Sequence, residues 1–317
     1  MRIVAFRKRL EHIVTEGSMV IKMQTDTLKK IEFDSNLWEV YQGAYGPINQ
    51  DLAELINLVQ DVPDQEKVLY LDTEPESDYR IAFENTCEQL THQMSFYPAL
   101  YLAMPYLVSI YEQWKVQKEF QWQLLFLTNI GRCLATDFEH NHPIVAIKKE
   151  LLDSYWDSIA WIKKEAEQFL WEYFEKIKKL DSLEMSMFFI GLTGILGSHE
   201  TAFVLELNCW SICYPLCVNC GYLELNIELD KYMLWNPEKI EELHTVITPA
   251  LSVIGQWDKK SFDNTYLWLS NLVYDCGEPV LAEKLSYYFG TFTCPKCGHC
   301  DGPVIDLIIK GLFEGYY

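Results

Sequence analysis

Two short cysteine turns constrain this chain more than any other feature: Cys217-Val-Asn-Cys220-Gly221 and Cys294-Pro-Lys-Cys297-Gly298. A CxxC turn can present two thiolate sulfurs to one ion at about 2.3 Å, so two such turns supply the four ligands of a tetrahedral zinc site. Glycine after the second cysteine permits the positive φ that closes the turn, and Pro295 presets φ after Cys294. Four cysteines close the coordination sphere and leave no position for water or substrate, so one structural Zn2+ is expected. The plain alternative is two unrelated pairs of buried thiols. Neither turn opens a helix after a strand, which argues against a redox CxxC. His299 and Cys300 follow Cys297 directly and are spare ligands, as is Cys213 on the other side. The 221–293 stretch is far longer than the loop of a compact zinc ribbon, so the metal joins segments distant in sequence and locks the end of a larger fold.

The rest of the chain has to supply that fold. At 317 residues it can form one elongated domain or two compact ones around an ample core. Its longest apolar stretch, about Met185 to Gly197, is too short to span a bilayer, and the N-terminus lacks the apolar centre of a signal peptide. Ten cysteines without an export signal fit a reducing cytoplasm. The purine-rich coding possible for Glu16-Gly17-Ser18 just before Met19 suggests a start at Met19 or Met23 rather than Met1, in which case the basic segment does not belong to the mature chain.

The net charge of −20 is unevenly placed: residues 1–30 hold seven Lys/Arg against three Asp/Glu, leaving −24 on residues 31–317. A field of that sign repels nucleic acid and anionic membrane and attracts basic protein partners. Acidity for solubility alone is the plain alternative. Within residues 61–78 seven carboxylates face the single Lys67. Asp72, Glu74, Glu76 and Asp78 in that loop are the candidate contacts for a basic partner, with a solvated surface as the alternative.

From Asp34 to about Leu207 the apolar positions recur at helical spacing. A one-face stripe marks a helix over 50–60, and a second helix is expected over 77–93. A third starts after Pro98 and contains Pro105, which should bend it. The run 120–135 is apolar on most faces and reads as a central buried helix. The longest helix is expected from about Val145 to Leu180. Its stripe of Leu152, Tyr155, Ile159, Ile162, Ala166, Phe169, Tyr173 and Ile177 should pack on a neighbouring helix, with a dimer seam as the alternative. Helices over 183–196 and 199–208 follow. Antiparallel pairs of this kind build an α-solenoid. After Cys209 the pattern changes. Residues 222–229 alternate as a half-buried strand, and helices are expected near 237–247, 261–274 and 279–289. Val304-Ile-Asp-Leu-Ile-Ile is read as the strand that pairs with 222–229.

Several of these stretches resemble bacterial HEAT-repeat proteins: Ala44-Tyr45-Gly46-Pro47, Leu90-Thr-His92-Gln93, and Tyr97-Pro98-Ala99 through Pro105-Tyr106-Leu107-Val108. So does Phe289-Gly290-Thr-Phe-Thr-Cys294-Pro-Lys-Cys297-Gly298. The likeness covers roughly 37–110 and 213–307. It implies a HEAT-like α-solenoid with a late zinc-binding region, and some such proteins look like immunity proteins of polymorphic toxin systems. The long 145–180 helix departs from a regular repeat array.

The expected architecture is therefore mostly α. An extension over 1–33 precedes a HEAT-like helical array over 34–208, followed by a zinc-stapled region over 209–317 with a two-stranded β element and a helical insert. His92 and Gln93 read as a satisfied buried polar pair holding a loop between helices, or as a partner contact. Asp137-Phe-Glu139-His140-Asn141-His142 brings ligand types together, although a His-x-His before Pro143 is more often solvated. Cys87 and Cys133 read as core. No glycine-rich phosphate loop, nucleophile elbow or His-Glu-x-x-His is present, and no residue argues for an enzyme. The expected function is binding of another protein, in its specific form an immunity protein neutralising a basic toxin domain. A general helical scaffold is the first alternative, and a nucleic-acid binder or enzyme using the zinc region the second.

Overall fold

Helices make up most of what the computed structural model describes, namely residues 28–58, 78–117, 120–138, 147–210, 215–221, 246–250, 262 and 264–313. A short helix, α1 (Leu37–Val40), leads into α2 (Asn49–Leu58), α3 (Asp78–Thr91), α4 (Ala99–Gln117), α5 (Phe120–Ala135), α6 (Lys149–Ile177), α7 (Ser182–Leu196) and α8 (His199–Trp210). Neighbours in sequence pack together, α2 on α3 and α7 on α8. So do alternate helices: α2 on α4, α3 on α5, α4 on α6, and α5 on α7.

The apolar patterns explain who lies where. α5 is buried on nearly every face, from Phe120 through Ala135, and it touches α3, α4, α6, α7 and α8. The central helix expected over 120–135 is thus present. α6 spans 149–177 rather than 145–180, with a non-helical residue at Tyr173 near its end. Its stripe of Tyr155, Ile159, Ile162, Ala166, Phe169, Tyr173 and Ile177 is buried against α4 and α7 of the same chain. That contact leaves the stripe no need of a second copy. Asp181 starts α7 with a reciprocal cap, accepting from the Glu184 amide while the Glu184 carboxylate accepts from its own. α4 runs on through Pro105, whose missing N–H takes one rung from its ladder.

The tightest seam joins α5 and α7. A Cβ added to Gly131 would lie 1.8 Å from the Gly191 carbonyl oxygen, and one on Gly191 would lie 2.4 Å from that of Thr128. Only hydrogen fits there, so these glycines let the two backbones touch. Aromatic rings fill the flanking core, with Phe120 stacked on Phe169 at 5.5 Å and Phe83 on Phe126 at the same separation.

The C-terminal third adds β1 (Ile247–Thr248), α9 (Thr265–Asp275), α10 (Pro279–Tyr288), β2 (Thr291–Thr293), β3 (Cys300–Asp301) and α11 (Val304–Phe313). α9 and α10 match two of the expected helices, those near 261–274 and 279–289, with α9 resting on α7 and on α10. Two expectations are corrected. First, the β element has three antiparallel strands in the order β1-β2-β3, with Ile247 opposite Phe292 and Thr293 opposite Cys300. Ile247 therefore belongs to a strand and not to the end of a helix over 237–247. Second, Val304 to Ile309 is not a strand but the start of α11. A short apolar run reads equally as a strand or as a buried helix. Here Pro303 offers its carbonyl to the Leu307 amide, and the period continues through Gly311, with Val304, Ile305, Leu307, Ile308 and Ile309 all buried. The expected strand over 222–229 lies outside the described residues.

α11 is docked by α8 and α10, and Phe313 closes a ring cluster with Phe138 and Phe203 at 5.3 and 5.9 Å. Among the described residues no helix is long and apolar enough to cross a membrane.

Candidate metal centre

The two cysteine turns meet. Cys217 Sγ lies 3.6 Å from Cys297 Sγ, and Cys220 Sγ lies 3.7 Å from Cys294 Sγ. All four sulfurs fall within 4.8 Å of one another. Four sulfurs around one ion at about 2.3 Å would sit about 3.8 Å apart in a tetrahedron, so the set fits a single metal ion.

Each turn is built the same way. The amide of Gly221 donates to the Cys217 carbonyl at 2.8 Å, and that of Gly298 donates to the Cys294 carbonyl at 2.8 Å. Both glycines hold positive φ, 68° and 71°, as the motif requires. The first turn follows α8 and is pinned where the Leu216 amide donates to the Leu307 carbonyl of α11. The second turn is the tip of the β2–β3 hairpin, closed where the Cys294 amide donates to the His299 carbonyl. The site therefore ties the segment after α8 to the hairpin, with α11 beneath both.

Exposure is uneven across the four. Cys217 and Cys294 are 2% and 1% exposed and belong to the continuous core, Cys220 is half-buried, and Cys297 lies on the surface. The Asn219 side chain and then the His299 backbone donate toward the Cys297 sulfur, and with the neighbouring thiols they pull it down to about 6. A thiolate is the form that binds metal, so this environment suits a ligand.

Of the spare ligands, His299 and Cys300 stay outside the cluster. Cys300 Sγ instead lies 3.4 Å from Thr293 Oγ1 and 3.8 Å from the Gly298 carbonyl. Cys213 lies outside the described residues, as do Glu139, His140 and His142. Of the acidic partner-contact candidates, Asp78 begins α3 and is exposed, while Asp72, Glu74 and Glu76 lie outside the described residues. Cys87 and Cys133 are core, with the Cys133 thiol facing the Cys87 carbonyl at 3.8 Å.

The expected buried polar pair at His92 and Gln93 is corrected. Gln93 is exposed and Met94 half-buried, both with positive φ, and His92 makes a bridging contact. Its Nδ1 lies 2.9 Å from Tyr45 Oη and also faces Glu88, while the Ala44 amide donates to the Gln89 carbonyl at 2.8 Å. His92 thus ties the 43–46 turn to α3 from a solvent-facing position.

Sequence reasoning missed a buried polar group around Asp137. The Tyr155 hydroxyl donates to its carboxylate, and His199 Nδ1 lies 2.6 Å from its carbonyl oxygen. Tyr155 was legible only as part of an apolar stripe, because helical spacing reports the face and not what the hydroxyl meets.

Comparison with protein-family models, with curated proteins and with solved structures finds no match to this chain.

Proposed function

We propose that this chain is a non-enzymatic, HEAT-like protein-binding module whose C-terminal third is held by one structural zinc ion, and that it is an immunity protein for a basic toxin domain. The contacts between alternate helices, repeated from α2 to α7, support a reading as stacked helix pairs, an arrangement that would present an extended face to a partner. Four cysteines with no open position suit a structural ion, and an all-thiolate tetrahedron suits zinc or iron.

The observation that carries the partner class is charge. Residues 31–113 hold fifteen Asp and Glu against two Lys and Arg. Glu32, Asp34, Glu39, Glu54, Asp78 and Glu88 are exposed, whereas Arg80 is buried and paired to Glu84 at 3.0 Å. Such a field speeds capture of a basic domain and can cover an active site built to hold phosphate.

Genome context tests this: where a toxin gene lies immediately upstream, its product is co-expressed with this chain. Growth rescue and a stoichiometric complex are expected, with association slowed by Asp78→Lys and Glu88→Lys and by salt. Toxicity that persists without any complex would leave the general scaffold reading instead. Plasma emission analysis should find one zinc per chain. Less than half an equivalent, or the visible absorption of an iron–thiolate centre, would overturn the zinc assignment.

A further inference from the structure

We propose that Cys297-Gly298-His299-Cys300 is a thiol–disulfide pair built across the edge of the metal centre, through which a peroxide expels the ion. The inference rests on the metal reading above and adds a chemical response to it.

Cys297 belongs to two CxxC spacings at once, 294–297 and 297–300. Only the first serves the metal cluster. The second joins the most exposed ligand to an exposed thiol that has no place among the four. The inner ligands Cys217 and Cys294 are buried, so an oxidant arriving from solvent meets Cys297 first. The pairing of Thr293 with Cys300 fixes the start of β3, and Cys300 Sγ already reaches back to 3.8 Å from the carbonyl of Gly298, next to Cys297. His299, Gly298 and Lys296 are exposed around the pair, so the hairpin tip can adjust to disulfide geometry without disturbing the core.

The chemistry takes two steps. The Cys297 thiolate sulfur attacks one oxygen of the peroxide, an S–O bond forms, and the O–O bond breaks. The departing oxygen leaves as hydroxide and becomes water. The Cys300 sulfur then attacks the Cys297 sulfenic sulfur, the S–S bond forms, and the S–O bond breaks. The second hydroxide leaves with the Cys300 proton as water. Two sulfurs together lose two electrons and the peroxide gains them. The ion is left with only the thiolates of Cys217, Cys220 and Cys294, its closed sphere opens to competing ligands, and its departure then releases the first turn from the hairpin. A dithiol reductant reverses the change.

The test uses the full chain loaded with zinc, with metal content measured first. A chain holding no ion at the outset fails the metal reading. Disulfide mapping of the metal-stripped, peroxide-treated chain still reports on the pair. Limited hydrogen peroxide should release one zinc per chain, as read by a chelating dye. A non-reduced digest should then contain a Cys297–Cys300 disulfide, and reduction with zinc present should restore the ion. Cys300→Ser should hold zinc at wild-type stoichiometry but give a dimedone-trapped sulfenic acid at Cys297. Its zinc recovery after reduction should fall by about half or more, because an unresolved sulfenic acid oxidises further. Disulfides confined to the four ligands, zinc loss with Cys300 still alkylatable, or equal recovery in Cys300→Ser would each overturn the proposal.

Discussion

Single side chains decide how the metal centre and the buried polar groups behave. Serine at Cys294 or Cys297 removes one thiolate, and binding free energy at a structural site is folding free energy. Either variant should lose its ion and melt at least roughly 5 °C lower, given about 2–4 °C for each kcal/mol in large domains. Metal analysis and a thermal melt read both effects. His299→Ala and Cys300→Ser should keep the ion, since both side chains stand outside the cluster. Tyr155→Phe takes the phenol donor from the buried Asp137 carboxylate and should cost about 1.5–3 kcal/mol in urea unfolding. The ligands were legible at this scale because CxxCG is a local rule of backbone and sulfur. Choosing among Cys297, His299 and Cys300 was not, because that choice depends on which way a hairpin tip turns each side chain.

Elements are set by how faces meet. The α5–α7 seam has room for hydrogen alone at Gly131 and Gly191. Gly191→Leu drives a side chain into the Thr128 backbone and should destabilise the fold by about 3 kcal/mol or more, read by chemical denaturation. Gly197→Ala is the milder control, since its Cβ would meet its nearest atoms at 3.0–3.1 Å, two of them in the Thr265 side chain. The stripes of α5 and α6 were readable because period 3.6 survives over many residues. Residues 304–309 misled for the opposite reason. Five apolar residues around Asp306 carry too little period to separate strand from helix, and the tertiary surroundings bury all five while leaving Asp306 and Lys310 exposed.

For the molecule as a whole, burial sets the pH range over which it stays folded. Desolvation raises the hydroxyl pKa of Tyr79, Tyr101, Tyr111 and Tyr155, and in Tyr155 the Asp137 carboxylate adds to it. The unfolded value is about 10. Their contribution is therefore complete below that pH and lost as pH climbs from there toward the raised folded values, at about 1.4 kcal/mol per group per unit. The buried Cys87 and Cys276 thiols, also raised by burial, add a smaller loss that starts near pH 9, so urea midpoints should fall more between pH 9.5 and 11 than between pH 8 and 9.5. A midpoint unchanged at pH 11 would contradict this picture.

The sequence by itself determined a helical chain, its apolar stripes and two half-sites for one ion, because each follows from the local period or from a turn a few residues long. Only the tertiary structure decided that the half-sites close on each other across the core and leave His299 and Cys300 aside. It also decided that β2 sits between two partners and that 304–313 coils. Each of those outcomes depends on which surfaces, far apart along the chain, can exclude water together.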